Sequence, residues 1–163
     1  MCNNFLKLND SKTEFIILGT AQNIENLSDW TVTVGDNEIF PSTCARNIGA
    51  YMDSAMSMKT HVKNTIRACY AVICNNQNQE ISHIRCCKKL VHAFVSSRLD
   101  NLNSLLVNIP DFLLKKLQMI LNNAARIVAM KRRLDHITPT LIELHWLPVQ
   151  CHINLIFFLL VFK

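Results

Sequence analysis

The stretch DFLLKKLQMILNNAARIV, residues 111–128, follows Pro110 and carries Leu113, Leu117, Ile120, Leu121, Ala124 and Val128 at steps of three and four. That spacing is the period of one helical face, and a proline just before the first turn gives up no intrahelical hydrogen bond, so a helix is predicted to start at Asp111. The polar side of this helix carries Lys115, Lys116 and Arg126, and Lys131, Arg132 and Arg133 follow at its end.

Moving toward the N-terminus, Ile84, Cys87, Val91, Phe94 and Val95 make a second helical stripe, and Val62, Ile66, Cys69 and Ile73 a third, over about residues 58–75 with Ser57 as N-cap. Upstream of residue 57 the period changes. Phe15-Ile16-Ile17-Leu18, Trp30 to Val34, and Glu38-Ile39-Phe40 are read as short strands; Gly35-Asp36-Asn37 is turn chemistry that lets Val34 and Ile39 flank a hairpin. Pro41 and Ser42 end that ladder, and Ile48 to Met52 is a further extended segment whose glycine permits a tight bend.

Toward the C-terminus, Thr138 is expected to cap a short helix with Pro139 at its first position and Glu143 in its first turns, and Pro148 separates it from an apolar segment. Residues 155–162, LIFFLLVF, are apolar on every side. Such a helix needs neighbours all round, so either the preceding helices enclose it or the chain is truncated and its covering residues are missing, and truncation is the preferred expectation. The run is far shorter than the roughly twenty residues of a membrane span, so it is read as core. The predicted fold class is α+β: a small antiparallel β element over residues 1–57, then a mainly helical bundle over 58–163.

A chain of 163 residues that is 50% hydrophobic can bury a core, which argues against disorder. Three glycines and four prolines are too few for a sandwich or barrel of tight turns. Seven cysteines, at 2, 44, 69, 74, 86, 87 and 151, are an odd count with no framework spacing and no secretory leader, and imply a reducing, intracellular setting. Cys69, Cys74, His83, Cys86, Cys87 and His92 include no C-x-x-C, and most fall on apolar stripes where a thiol behaves as a small hydrophobe, so zinc is set aside. His145 and His152 flank Trp146 and Cys151 with no acid near them in sequence, which favours packing over nucleophilic catalysis.

The net charge of +5 is uneven: residues 1–58 hold three basic and seven acidic side chains, residues 59–163 fourteen and five. Charge alone fits either a surface for a polyanion or an ordinary lysine-rich solvated face.

Five stretches in order, FLKLNDSKTEFIILGT (5–20), ARNIGAYMDSAMSM (45–58), LVHAFVSSRLDNLNSLL (90–106), LLKKLQMILNNAARIV (113–128) and DHITPTLIELHWLPV (135–149), resemble the C-terminal region of LINE-type (non-LTR retrotransposon) reverse transcriptases. Together they span nearly the whole chain. The resemblance implies the last strands of the polymerase palm followed by the thumb. The parent family holds two Mg2+ ions on palm aspartates, because two-metal phosphoryl transfer needs clustered carboxylates. This sequence has no Asp-Asp pair, and Met1 stands where the family has a methionine in the element just upstream of its KTEF stretch, so the chain is expected to begin after the active site. It is therefore expected to have no catalytic residue, no metal site or cofactor of its own, and no polymerase activity alone; an upstream palm segment is a possible missing partner.

The resemblance further implies that Arg46, Asn47, Ile48 and Gly49, running into Ala50, stand at a primer grip, where a glycine lets a phosphate approach the backbone. Residue 57 onward matches the thumb, with Lys59, Lys63 and Arg67 beside one apolar stripe and Lys115, Lys116, Arg126, Lys131, Arg132 and Arg133 on the third helix and its end. Such side chains would neutralise phosphates of an RNA–DNA or DNA duplex without reading bases; Arg132 and Arg133 equally suit a helix C-terminus. The chain departs from the family at Asn101-Leu102, where an aromatic and a cysteine usually follow, and over CNNQNQEISHIRC (74–86). A translated remnant without function and a domesticated helical interaction module are the competing expectations.

Overall fold

The computed structural model describes residues 9–27, 29–35, 37–77, 91–100 and 103–162, except the side chains of residues 10, 21, 75–77, 92 and 96. The expected stripe positions Ile84 and Cys87 lie outside the described residues, as do Cys2, His83, Cys86 and the divergent stretch from residue 78 onward. The chain is α+β and divides into two compact units, residues 1–60 and 61–163.

Two hairpins define the first unit. β1 (Val32–Val34) pairs antiparallel with β2 (Asn37–Ile39), Val32 opposite Ile39 and Val34 opposite Asn37, so the expected hairpin forms, but Asn37 belongs to the strand rather than the turn and Ile39 sits two residues from it. β3 (Cys44–Asn47) pairs antiparallel with β4 (Ala50–Asp53), Cys44 opposite Asp53 and Asn47 opposite Ala50. Ile48 and Gly49 form the connection, at φ 47° and 85°. Two positive φ values make the mirror-image turn whose twist matches a two-stranded ribbon. Ile48 and Gly49 are thus turn rather than strand, and only Ala50 to Asp53 are extended.

Two further expectations give way here. Residues 15–18 form no strand: Phe15 makes a single parallel bridge to Pro41, supported by Ser42 N–H donating to the Phe15 carbonyl at 2.7 Å. A proline has no N–H to donate, so the ladder stops where it starts. Residues 21–26, read as part of a strand-rich stretch, form a six-residue helix, α1 (Ala21–Asn26).

α2 (Lys59–Gln77) opens differently from its predicted start. Ser57 is not the N-cap, since Met58 intervenes at φ 57°. The Asp53 carboxylate accepts the Ser57 N–H at 2.6 Å and its hydroxyl at 2.7 Å, and the Ser57 oxygen accepts the Lys59 N–H at 3.4 Å. The carboxylate at the end of β4 thus holds Ser57 in place, while the Ser57 hydroxyl oxygen still meets the first N–H of α2.

In the second unit, Val91 leads into a π turn (His92–Ser96) and then α3 (Ser97–Asp100), followed by a 3-10 turn (Asn103–Leu106), α4 (Asp111–Val128), α5 (Thr138–Glu143) and α6 (Val149–Val161). The wider π turn places Val91, Val95 and Leu99 inward, four apart, and turns Phe94 out to 46% exposure, against the predicted stripe. Thr138 lies inside α5 rather than capping it; Ile137 holds the cap position without a side-chain bond.

α4 is the centre of the core, burying Leu113, Leu117, Ile120, Leu121, Ala124, Ala125 and Val128. It packs on α5, α6 and the π turn, while the 3-10 turn and α3 also pack on α6. Val62, Cys69 and Ile73 of α2 are buried as its stripe requires. Asn123 of α4 donates to the Tyr70 hydroxyl of α2 at 3.3 Å. On α6 only Val149 and Ile153 are buried, whereas Leu155 and Phe157 to Phe162 are between 39% and 81% exposed, so the apolar end is not the core element its composition implies. Among the described residues no helix is long and apolar enough to cross a membrane.

Candidate nucleic-acid interface

α2 places Lys59, Lys63 and Arg67 on one exposed row. Steps of four on a helix rise about 6 Å each, so the row runs along the axis as a ladder of positive charge. Lys115 and Lys116 are exposed near the start of α4, with the Lys116 ammonium 5.8 Å from the centre of the Phe112 ring. That cation–π contact leaves the charge in solvent while restricting the stem.

Arg126 differs from its neighbours. It is half-buried, its Nε has no partner among the described residues, and its Nη2 donates to the Asp135 carbonyl at 3.5 Å. This contact runs from the end of α4 to the loop after it. Lys131, Arg132 and Arg133 are exposed in that loop, which is shaped by the Arg132 N–H donating to the Asp135 carboxylate at 2.8 Å. The last carbonyls of α4 are met by the backbone, Lys131 N–H to Arg126 and Ala129 N–H to Ala125, both at 2.9 Å, so the guanidinium groups of Arg132 and Arg133 are not required there. Among the described residues, none of the nine predicted cations is ion-paired to a carboxylate.

The β3–β4 hairpin is built differently. Arg46 lies opposite Tyr51 across the ladder, its guanidinium 5.5 Å from the ring centre. Its backbone N–H donates to the Glu14 carboxylate at 2.9 Å. Asn47 and Ile48 are exposed, Ile48 to 87%. A carboxylate at the foot of this turn opposes the approach of a phosphate.

No family model, curated protein or solved structure matches this chain.

A two-metal centre of the parent kind needs three or more acidic ligands gathered at one point. Among the described residues no group of three His, Cys, Asp or Glu side chains could hold a metal ion. The described residues do not fit such a centre, and no chemical step is derived through one.

Sequence reasoning missed one feature. His152 and Asp100, fifty-two positions apart, meet at 2.7 Å, imidazole Nδ1 to carboxylate, beside His145, Trp146 and Asn103. The histidines had been noted for want of a nearby acid; α3 supplies one from a distance that local spacing does not reveal.

Proposed function

We propose that this chain is a palm-edge and thumb segment of the LINE reverse-transcriptase type, and that it binds the sugar–phosphate backbone of an RNA–DNA or DNA duplex without catalysing nucleotide transfer. The observation that carries this is the set of eight exposed cations, Lys59, Lys63, Arg67, Lys115, Lys116, Lys131, Arg132 and Arg133, none held by a carboxylate among the described residues. Unpaired surface lysines and arginines release counterions from a duplex; they set affinity and not sequence preference.

The test is titration of a labelled RNA–DNA hybrid at several salt concentrations. If about six cations engage, log affinity falls with log salt at a slope near −5, following about −0.9 per neutralised phosphate. The double variant Lys63→Ala, Arg67→Ala flattens that slope by about 2 and weakens binding to unrelated sequences alike. Binding that ignores salt, or a slope untouched by the double variant, overturns the proposal. Primer extension by the purified chain would overturn its non-catalytic half.

A second reading, a helical interaction module, is favoured by the exposed apolar end of α6, residues 155–162. Sedimentation equilibrium separates the two: a stable oligomer that becomes a monomer on Phe158→Glu supports the module.

A further inference from the structure

The 3-10 turn Asn103–Leu106 packs on α6 and buries both of its end side chains, Asn103 at 2% and Leu106 at 3% exposure. Leu106 gains by that position, because removing apolar surface from water is what holds so short a turn to its neighbour. Asn103 does not. Its Nδ2 and Oδ1 are both out of reach of solvent and without a hydrogen-bond partner among the described residues. A buried amide in that state has given up the bonds it makes to water in the unfolded chain, and the loss is not recovered while the turn stays closed.

The surroundings of the turn leave it room to move. A pocket of about 160 Å3, lined in part by Asn103, His145, Trp146 and His152, adjoins it, so close packing stops on that side. Beyond the turn, Asn108 stands at φ 62°, a left-handed conformation that asparagine adopts more readily than most residues. The bond that closes the exit, from the Ile109 N–H to the Leu106 carbonyl, is long at 3.4 Å. Pro110 then fixes the entry to α4, so a change of backbone angles at Asn108 can be absorbed before that helix begins.

We propose that the 3-10 turn is a gate that opens from α6 by itself, without unfolding of α4, and that the unmet Asn103 amide biases it toward opening. On opening, water meets both ends of the amide. The part of α6 beneath the turn then loses its cover, which adds to the apolar surface already exposed over residues 155–162. None of this depends on duplex binding or on the exposed lysines and arginines.

The test is native-state hydrogen exchange of the full 163-residue chain, read by mass spectrometry at several urea concentrations below the unfolding transition. Amides of residues 103–109 are expected to exchange at least about tenfold faster than those in the buried turns of α4, and with little dependence on urea, because a local opening exposes little surface. Asn103→Leu removes the unmet amide at similar volume. It should slow exchange over residues 103–109 about tenfold, the order set by one unpaired buried group, without lowering the urea midpoint. Leu106→Ala removes the anchoring side chain and should speed exchange of the same amides by about tenfold or more. If residues 103–109 match α4 in both rate and urea dependence, the turn opens only with the whole unit and the gate is overturned. Unchanged exchange in either variant, or a lowered urea midpoint in Asn103→Leu, overturns it as well.

Discussion

Gln118 on α4 sets the start of α6. Its Oε1 accepts the Val149 N–H at 2.9 Å, and its Nε2 donates to Asn122 at 2.9 Å. The cap position of α6 is Pro148, which makes no side-chain cap bond, so the amide from the neighbouring helix takes that role. Loss of an N-cap acceptor costs about 0.5–2 kcal/mol, and a half-buried hydrogen bond about 0.5–1.5. Gln118→Ala is therefore expected to destabilise by about 1–2 kcal/mol, or roughly 2–8 °C in Tm for a chain of this size. Gln118→Glu keeps the acceptor and adds negative charge at a helix N-terminus, worth about 0.3–1 kcal/mol, while Asn122 turns its amide to donate instead. Urea unfolding followed by tryptophan fluorescence and far-ultraviolet circular dichroism should rank the Glu variant at or above the native chain and the Ala variant below both. Equal loss in the two variants at neutral pH would mean that the side chain acts by packing, and the capping argument would fail.

Ile48 stands at positive φ with 87% exposure, so Ile48→Asn relieves backbone strain at little packing cost and is expected to stabilise by about 1 kcal/mol, seen as a raised urea midpoint. Burial pushes the Cys69 thiol up to about 11, with Arg98 opposing weakly; iodoacetamide near neutral pH should alkylate exposed Cys74 and Cys151 first, and mass spectrometry finding Cys69 labelled as fast as Cys151 would contradict its burial. Burial also holds His61 below its ordinary value of 6.5. The unfolded chain then takes up that proton more readily, so stability is complete above about pH 6.5 and is lost as pH falls through that value toward the lowered one. His61→Leu should flatten that part of a stability profile, and an unchanged profile would assign the slope to other groups.

Legibility followed the length over which a period could repeat. α4 repeats its face over eighteen residues, and its bounds and inward residues were readable because every turn restates the same demand for burial. The β1–β2 hairpin was equally plain, since a strand alternation meets turn chemistry at Gly35. Residues 15–18 have strand composition, but composition does not specify a partner, and the proline opposite Phe15 cannot continue a ladder. The starts of α2 and α5 went astray by a residue because the periodic stripe does not fix where the first helical turn begins, and at α2 Met58 at positive φ intervenes after Ser57. The pocket was invisible for a stronger reason: Asp100, Asn103 and His152 share no period, and only the packing of α3 and the 3-10 turn on α6 brings them together.

The same distinction decides where a polyanion would meet this chain. At the β3–β4 hairpin a carboxylate is already fixed: Glu14 accepts the Arg46 backbone N–H, beside the Arg46 guanidinium over Tyr51. A phosphate arriving there would have to approach a fixed carboxylate, which is costly at short range even in solvent. On α2 and α4 the lysines and Arg67 are exposed without a carboxylate partner among the described residues. Arg126 differs from the other eight cations in being half-buried, with one long contact to the Asp135 carbonyl. Backbone affinity should then reside in residues 59–133, and Arg46→Ala should weaken the hairpin through its lost ring contact while leaving the salt slope of duplex binding where it was; a slope reduced by about one would move the hairpin into the interface.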